Sequence, residues 1–256
     1  MKNYQCKSNI QNLLPETIIK IADYIFAFEG VTKGKWLSFK HYRIESANFD
    51  NVFKVSKKDI KQNIKDLELK VGPYYYEYLA ILRCISEWLP LHNAFLLHSA
   101  CFDVEGTGVA FAAHSGTGKT THMNLWQKLL GDKMVVVNGD KPIVRFFDDE
   151  PETPYAYGTP WNGKEHLGQN MRTKLQHICF IERSETNFVE PMKKEDVIDL
   201  MFNQVYMPKD PVAVMNTMQL IDRLLSCCKL WKIHCNMEDE AAKIAYEAIF
   251  RPNGEK

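Results

Sequence analysis

The sequence lacks an excess of charge of either sign. Its 256 residues include 32 Lys and Arg and 32 Asp and Glu, so the formal net charge at neutral pH is zero. Proteins that bind nucleic acids or anionic membranes over a wide area carry a marked basic surface. The balance therefore predicts that neither a nucleic acid nor a membrane is a partner, while it remains compatible with a local basic pocket.

Long apolar runs and paired cysteine motifs are also absent. No apolar segment approaches the roughly 20 residues that span a membrane, and the N-terminus lacks the basic-then-apolar order of a secretion signal. The seven cysteines form an odd set without a CxxC pair, and most stand in apolar runs. This pattern favours buried, reduced thiols over disulfides or zinc ligands. We therefore expect a cytoplasmic protein.

The remaining composition is typical of a globular protein. Hydrophobic residues make up 45% and charged residues 25%, which is ordinary for a domain with a substantial core, and the length allows one or two domains. Strand patterns alternate with helical patterns from residue 95 onward, which predicts α/β layers. We place a domain boundary near residue 94, with a small α+β region of unknown role at 1–94 and a second domain at 95–256.

Apolar spacing predicts the individual elements. Residues that recur at three and four positions indicate helices, and short β-branched runs indicate strands. Between Trp36 and Phe53 the sequence alternates in a way that favours short strands. The predicted helices are Pro73–Trp88, Thr121–Leu130, Glu195–Phe202, Pro211–Cys227 and Glu238–Phe250, and the predicted strands are two paired runs within 95–113, then Lys133–Val137, Leu175–Ile181 and Leu230–Cys235.

A glycine-rich loop follows the second of the paired strands. Its sequence, AHSGTGKT, matches the pattern G-x-x-x-x-G-K-[ST] except that Ala113 replaces the first glycine. Glycines let successive backbone N–H groups face an anion, and the following helix adds the positive end of its dipole. A plain glycine-rich turn is the alternative, but the strand before the loop and the helix after it favour a phosphate site. The candidate nucleotide-binding residues are Ser115, Gly116, Thr117, Gly118, Lys119, Thr120 and Thr121.

Two further side chains are candidates for this site. Asp140 ends the next predicted strand, where a carboxylate that holds Mg²⁺ is expected, and an ordinary turn aspartate is the alternative. His98 stands on the strand that pairs with the one leading to the loop, so that its side chain could reach the phosphates. On spacing alone, a buried core histidine is an equally good interpretation of His98.

The ordered set of motifs resembles the HPr kinase/phosphorylase and PEP carboxykinase-like group of P-loop proteins. The resemblance is carried by LLHSACF, GTGVAFAAHSGTGKTTH and VVVNGDKPIVR. The later segment AYGTPWNGKEHLGQN, with the strand that leads to VEP, is similar to small HPr-kinase-related proteins found with peptide-modifying gene sets. Over about residues 75–250, the resemblance implies a P-loop PEP carboxykinase-like α/β domain with a mixed sheet. It also implies ATP or GTP, with Mg²⁺, as cofactors.

The resemblance assigns a role to each central residue. His98 would lie beside the transferred phosphate, and Lys119 would hold the phosphates. Thr120 and Asp140 would hold the magnesium ion. These assignments imply transfer of a γ-phosphoryl group by positioning and charge neutralisation.

A second group of residues is assigned by the later segment. By the resemblance, Gly158, Trp161 and Gly163 shape a loop over the site. Asn170 and Arg172 are candidates to meet phosphate or substrate, because arginine suits the developing phosphoryl charge. Arg172 could equally be a surface residue.

One position departs from the family pattern. The family has two adjacent acids at the strand end, whereas this chain has Gly139 before Asp140. The first acid is the one expected, by the resemblance, to take the proton from the attacking hydroxyl. Asp148, Asp149 or Glu165 could substitute for it.

Two functions follow from these observations. The first is a kinase-like enzyme that moves the γ-phosphoryl group of ATP onto a hydroxyl, such as a serine of a peptide or small protein. The second, favoured by the missing acid, is a degenerate nucleotide-binding module that acts as a regulated partner. A true PEP carboxykinase is disfavoured, because the chain is short and shows no convincing second metal site. A homo-oligomer is left open by the sequence.

Overall fold

The computed structural model describes residues 18–31, 37–56, 58, 73–114 and 116–251. The chain separates into two compact units, the first ending at Ile85 and the second beginning at Ser86. This division falls within helix α1 (Pro73–Trp88), whose bounds agree with the sequence prediction. The domain boundary that the sequence places near residue 94 stays a prediction.

The first unit contains a three-stranded sheet. Strands β1 (Ile18–Ile21) and β2 (Tyr24–Glu29) form an antiparallel hairpin, and β3 (Asn51–Lys54) pairs parallel to β2. Both residues of the hairpin turn, Ala22 and Asp23, have positive φ, as a tight turn that matches the strand twist requires.

The strands predicted between Trp36 and Phe53 are present only in part. Trp36 lies outside the described residues, and residues Leu37–Tyr42 form a 3-10 helix instead of a strand. Its buried side chains, Phe39 and Tyr42, are three residues apart, so they fall on one side of a helix with three residues per turn. Phe53 lies in β3, in agreement with the prediction.

The second unit is built on a mixed sheet, which has nine strands among the described residues. Its central strand, β10 (Arg172–Arg183), pairs with three strands, because its first residues and its last residues have different neighbours. The strands of this sheet are β4 (Ala94–Leu96), β5 (Ala100–Val104), β6 (Thr107–Ala112), β7 (Met134–Asn138), β8 (Ile143–Arg145), β9 (Tyr155–Tyr157), β10 (Arg172–Arg183), β11 (Phe188–Pro191) and β12 (Lys229–Cys235).

The strand order is β4-β8-β9-β10-β6-β5-β7, and β12 pairs with β10 and β11 beside this path. Strands β5 and β6 form a hairpin whose turn, Glu105-Gly106, has positive φ at both residues. Because β5 is antiparallel to both β6 and β7, the C-terminal ends of β6 and β7 lie at the same edge of the sheet. The sheet therefore brings the glycine-rich loop and the Asp140 turn together.

Helices cover both faces of this sheet, and alternation along each strand explains how. In β6, Ala110 and Ala112 enter one core while Val109 and Phe111 enter the other, because successive side chains of a strand point to opposite faces. One core is covered by α3 (Lys194–Phe202) and α4 (Pro211–Cys227), and the other by α2 (Lys119–Leu130) and α5 (Asp239–Phe250). The α/β prediction with a mixed sheet is confirmed.

Most elements of the second unit agree with the sequence predictions to within a few residues. Helix α4 has its predicted bounds, and the Asp210 carboxylate accepts hydrogen bonds from the N–H groups of Val212 and Ala213 at its start. The predicted strand Leu175–Ile181 is the middle of the longer β10. The sequence did not reveal β8, β9 or β11, because strands of three or four residues hold too few positions to show a period.

Helices of the described residues are all too short or too polar to cross a lipid bilayer. All six cysteines in the described part of the chain are free thiols, and Cys101, Cys179, Cys228 and Cys235 are buried. The expectation of buried thiols therefore holds for these four residues.

His122, which flanks the glycine-rich loop, is a buried residue of the core. Its ring lies against Phe111, and the indole N–H of Trp126 donates to its Nε2 at 3.3 Å. Burial lowers the pKa of His122 to about 4, so the ring is neutral in the folded protein.

This burial predicts a loss of stability in mild acid. As the pH falls below about 6.5, the unfolded chain protonates this histidine, whereas the folded chain does so only near pH 4. Between pH 7 and pH 5, this difference lowers the free energy of unfolding by about 2 kcal/mol. We expect the fall in the free energy of unfolding from pH 7 to pH 5 to be smaller by about 2 kcal/mol in His122→Phe than in the wild type. Urea unfolding at both pH values measures it. The exposed control His166→Asn should follow the wild type, and parallel behaviour of His122→Phe would contradict the assignment.

Candidate active site

The glycine-rich loop connects β6 directly to α2. Gly116 and Gly118 have φ of 79° and 124°, a conformation that side-chain-bearing residues rarely adopt. A Cβ added at either glycine would meet no atom within 4 Å, so the space beside the loop is open. Ser115 lies outside the described residues, and its role stays a prediction.

Lys119 is buried across this loop at the start of α2. Its side-chain nitrogen donates to the carbonyl oxygen of Ala113 at 2.7 Å, and the residue is only 9% exposed. Burial lowers the pKa of Lys119, the nearby Lys141 ammonium acts in the same direction, and the carboxylate of Asp140 opposes them. Ala113 is not among the residues with positive φ, which explains why alanine is accepted in place of the first glycine.

Arg183, at the end of β10, holds the outer side of the loop. Its Nε donates to the carbonyl oxygen of Thr117 at 3.1 Å, and its Nη2 donates to that of Gly116. In a trans peptide the C=O and N–H groups point in opposite directions. The N–H of Gly118, which shares a peptide unit with the Thr117 carbonyl, is therefore turned away from Arg183.

Asp140 stands in a turn that is built by the side chain of Asn138. The Asn138 Oδ1 accepts hydrogen bonds from the backbone N–H groups of Asp140 at 2.9 Å and Lys141 at 2.6 Å. The Asp140 carbonyl oxygen in turn accepts from the N–H of Ser99 at 3.0 Å. Asn138 therefore supplies the turn chemistry, and the Asp140 carboxylate is left to face the site.

The amide nitrogen of Asn138 ties this turn to a second segment. It donates to the Thr159 carbonyl oxygen at 3.1 Å and to the Thr159 hydroxyl oxygen at 3.0 Å. The same hydroxyl donates to the Lys141 carbonyl oxygen at 2.7 Å and accepts from the N–H of Trp161 at 3.2 Å. Asn138 and Thr159 are both fully buried, so these bonds are shielded from water.

Three charged or titratable side chains meet at the turn. Nε2 of His98 lies 3.2 Å from Oδ1 of Asp140, and the Lys141 ammonium pairs with Oδ2. Burial alone would raise the pKa of Asp140, but the hydrogen bond from His98 and the charge of Lys141 outweigh it and hold the pKa below its ordinary value. Asp140 is therefore ionised at neutral pH. His98 lies between β4 and β5 and not on a strand as predicted, and because a third of its side chain is exposed, it is not a core histidine.

Gln204, which follows α3, joins the loop to the histidine-bearing segment. Its backbone carbonyl accepts from the N–H of His98 at 2.6 Å. With the amide nitrogen turned inward, its buried side chain donates to the carbonyl oxygens of Ala113 and His98, both at 3.1 Å. A single side chain thus bridges the start of the loop and the segment that carries His98.

Residues 158–169 form a tightly packed segment, the covering loop, beside the Asp140 turn. Gly158 has no room for a side chain, because an added Cβ would lie 1.8 Å from the Gln169 carbonyl oxygen. The N–H of Gly139 donates to the Leu167 carbonyl oxygen at 2.9 Å, and the N–H of Lys141 donates to that of Trp161 at 3.1 Å. The structure thus brings the predicted loop of Gly158, Trp161 and Gly163 against the turn.

Arg172 is the candidate that the structure does not bring to the glycine-rich loop. It begins β10 eight residues before Phe180, which pairs with Ala112 beside the loop, and this spacing corresponds to about 26 Å of extended strand. Its guanidinium group donates to the Tyr157 hydroxyl at 3.0 Å and lies over the Tyr155 ring at 4.7 Å. These contacts place Arg172 in an aromatic cluster, and a catalytic role for it stays a prediction.

The donor set near the loop fits a hydrated Mg²⁺ ion that is bound together with phosphates. Such an ion keeps several waters and needs only one or two protein oxygens. The half-buried Thr120 lies in the first turn of α2, and Asp140 presents an ionised carboxylate within reach of the Lys119 charge. Thr121, the next residue, is exposed on the same turn.

Two clefts flank the loop where Arg183 holds it. The first has a volume of about 550 Å³ and is lined by the loop, the end of β10, Gln204 and Lys232. The second, of about 420 Å³, lies beside the start of α2 and is lined in part by Thr121, Asn236 and Met237. Volumes of this order accommodate small organic ligands, so either side of the loop offers space for the remainder of a nucleotide.

Several residues of this site were missed by the sequence analysis. Lys141 carried a signal, because it directly follows the candidate carboxylate, and Arg183 follows an apolar strand that ends at the loop. Asn138 stands in the motif VVVNGDKPIVR, but the sequence analysis assigned it no role. Gln204 lies 86 residues after Gly118, the last residue of the loop, and carried no signal that spacing could reveal.

Comparisons with known proteins add little to this picture. No family model matches the chain, and no curated protein matches it. Among solved structures, the chain is similar to the HPr(Ser) kinase/phosphatase from Coxiella burnetii, with 7% sequence identity and a TM-score of 0.36, over 62% of this chain and 99% of that one. A likeness this slight does not bear on function, and the family resemblance stays a prediction.

The network around Asn138 predicts a large effect of its truncation. Asn138→Ala would leave the half-buried N–H of Asp140 without this acceptor, and it would take one partner from the half-buried N–H of Lys141 and from the hydroxyl and carbonyl oxygens of the buried Thr159. Each unsatisfied buried group costs about 1–3 kcal/mol, so we expect the free energy of unfolding to fall by about 2 kcal/mol or more in urea titrations. The control Asn203→Ala removes an exposed hydrogen bond from the side-chain amide to the Asp199 carbonyl oxygen and should cost under about 0.5 kcal/mol. Equal losses in the two variants would refute this role of Asn138.

Proposed function

We propose that the chain binds a nucleoside triphosphate, ATP or GTP, with Mg²⁺ and transfers its γ-phosphoryl group to a hydroxyl. One observation carries the proposal: the buried Lys119 of the glycine-rich loop lies within electrostatic reach of the ionised Asp140, which His98 and Lys141 contact. An anion-binding loop and a charged metal site at one sheet edge are the two parts that phosphoryl transfer requires.

The phosphates would be held by the loop and the first turn of α2. The open space beside Gly116 and Gly118 and the helix N-terminus both favour an anion. Lys119 is already directed across the loop to the Ala113 carbonyl oxygen. Exchanging this neutral acceptor for a phosphate oxygen would give the buried ammonium a charged partner, which makes a stronger hydrogen bond.

Magnesium would be held by the Thr120 hydroxyl and the Asp140 carboxylate, together with phosphate oxygens and water. When bound, the ion would neutralise charge on the β- and γ-phosphates. Asp140 suits this role because it is ionised and is fixed by the buried Asn138 turn. His98 and Lys141 contact the same carboxylate, so they would share it with a bound ion.

His98 and Lys141 would act on the transferred group. Both side chains border Asp140, and about a third of each is exposed, so they are accessible from the open side of the site. Positive charge at this position would stabilise the negative charge of the equatorial oxygens in the transition state. The acceptor would approach from the same open side, which suits a serine hydroxyl of a peptide or small protein.

A second candidate function is a nucleotide-binding partner module without turnover. It is favoured by one observation, the glycine at position 139 where the resembling family has an acid. Turnover distinguishes the two. We would incubate the protein with Mg²⁺ and γ-³²P-ATP or GTP and a library of serine-containing peptides. Labelled peptide from the wild type but not from Lys119→Ala supports transfer, whereas tight nucleotide binding without labelled product would favour the partner module.

The phosphate role of Lys119 predicts a change in thermal stabilisation. A ligand at about 100 times its Kd adds about 2.7 kcal/mol of stability, which raises the Tm of a chain this long by about 5–10 °C. We expect Lys119→Ala to abolish most of the shift that Mg-ATP produces in the wild type. Lys128→Ala, on the exposed part of α2, should keep the full shift. A full shift in Lys119→Ala would refute the phosphate-binding loop.

The metal role of Asp140 predicts a loss that depends on magnesium. Asp140→Asn should weaken ATP binding at least about tenfold with Mg²⁺ present and much less in EDTA, because its proposed partner is the ion. Fluorescent nucleotide titrations under the two conditions measure both affinities. Equal losses would show that Asp140 serves only the geometry of the turn.

A further inference from the structure

Position 139 leaves little room for a side chain in this structure. Gly139 does not have positive φ, so its backbone alone does not require glycine. A Cβ built there would lie 3.0 Å from the Asn162 carbonyl oxygen and 3.2 Å from that of Leu167. A side chain at this position would require the covering loop to shift by a few tenths of an ångström.

The same covering loop places an acidic side chain, that of Glu165, near Asp140. The position of a Cβ at Gly163 lies 3.3 Å from Cβ of Asp140 and 3.6 Å from Oε2 of Glu165. The Glu165 carboxylate oxygen is therefore at most about 7 Å from Cβ of Asp140.

The other two acids that could replace the missing one lie elsewhere. Asp148 accepts a hydrogen bond from the side chain of Asn93 at 3.2 Å. Asn93 precedes β4, whereas His98 follows it, so Asp148 lies at the opposite end of that strand from the Asp140 turn. Asp149 follows Asp148 in the same exposed segment. Of the three acids, Glu165 alone is placed beside Asp140.

Asp140 itself is poorly placed to take a proton. Its Oδ1 faces His98 and its Oδ2 faces Lys141, and in the proposed function it also holds the metal. Glu165 is exposed at the open side of the site, where an acceptor would enter. A general base must lie within hydrogen-bonding reach of the hydroxyl that it deprotonates, either directly or through one water.

We infer that Glu165 is the general base of the site, an inference that rests on the proposed phosphoryl transfer. The acceptor hydroxyl gives its proton to a carboxylate oxygen of Glu165 as its own oxygen forms a bond to the γ-phosphorus. The bond from the γ-phosphorus to the bridging oxygen breaks, and that oxygen keeps the electron pair as the nucleoside diphosphate leaves. The covering loop thus crowds position 139 and supplies the carboxylate from position 165.

The test compares Glu165→Gln with the wild type in two measurements. In the first, the initial rate of label transfer from Mg²⁺ and γ-³²P-ATP to the serine peptide library is measured. A positioned general base contributes about 10² to 10⁴-fold in rate, so we expect a loss of at least about 100-fold. In the second, the affinity for a fluorescent ATP analogue is measured with Mg²⁺ and in EDTA, and we expect less than a threefold change in either condition.

A matched control and the alternative outcomes separate this inference from the proposed function. Asp149→Asn makes the same change of charge away from the site and should keep the wild-type rate and affinity. A Glu165→Gln protein that transfers label at more than half the wild-type rate overturns the role of Glu165 and leaves the proposed function standing. A loss of affinity that occurs only with Mg²⁺ overturns it as well, since Glu165 would then serve the metal. A wild type that binds ATP without transferring label overturns the proposed function itself.

Discussion

The buried amide of Asn138 is the interaction on which the geometry of the site depends. Its oxygen closes the turn that carries Asp140, and its nitrogen holds Thr159 of the covering loop. One side chain therefore sets the position of the carboxylate and of the segment beside it. Because the amide and the Thr159 hydroxyl are fully buried, neither water nor an exposed side chain could replace these bonds, and a loss at one end would loosen the other.

The sheet supplies the second constraint. Since β6 and β7 end at the same edge, the glycine-rich loop and the Asp140 turn lie at that edge, with only β5 between their strands. Arg183 and Gln204 then hold the loop through its carbonyl oxygens, which leaves N–H groups available for an anion. The rigid part of the site is thus built from backbone groups that the sheet orders, and the charged side chains are placed on that frame.

The sequence predicted the parts of this site that depend on local chemistry. The loop, the helix after it and the acid at the end of β7 carry their own signals in residue type and spacing. Arg172 begins a strand of twelve residues whose other end lies beside the loop. Spacing along the chain could not show which end of this strand faces the loop. Gln204 reaches the site through tertiary packing, and only the fold distinguishes Glu165 from Asp148 and Asp149, the other two acids that the sequence offered.

Lys119 bears on the choice between an enzyme and an inactive relic. Burying an ammonium group is costly unless it is paired, and its direct hydrogen bond here is to a neutral carbonyl oxygen. A chain without a use for this lysine would gain stability from almost any apolar replacement, as is common where function and stability conflict. Gly139 is then no sign of a degenerate site. The carbonyl oxygens of the covering loop crowd the space beside Gly139, and the same loop carries Glu165 near Asp140, so the glycine is compatible with the base proposed at position 165.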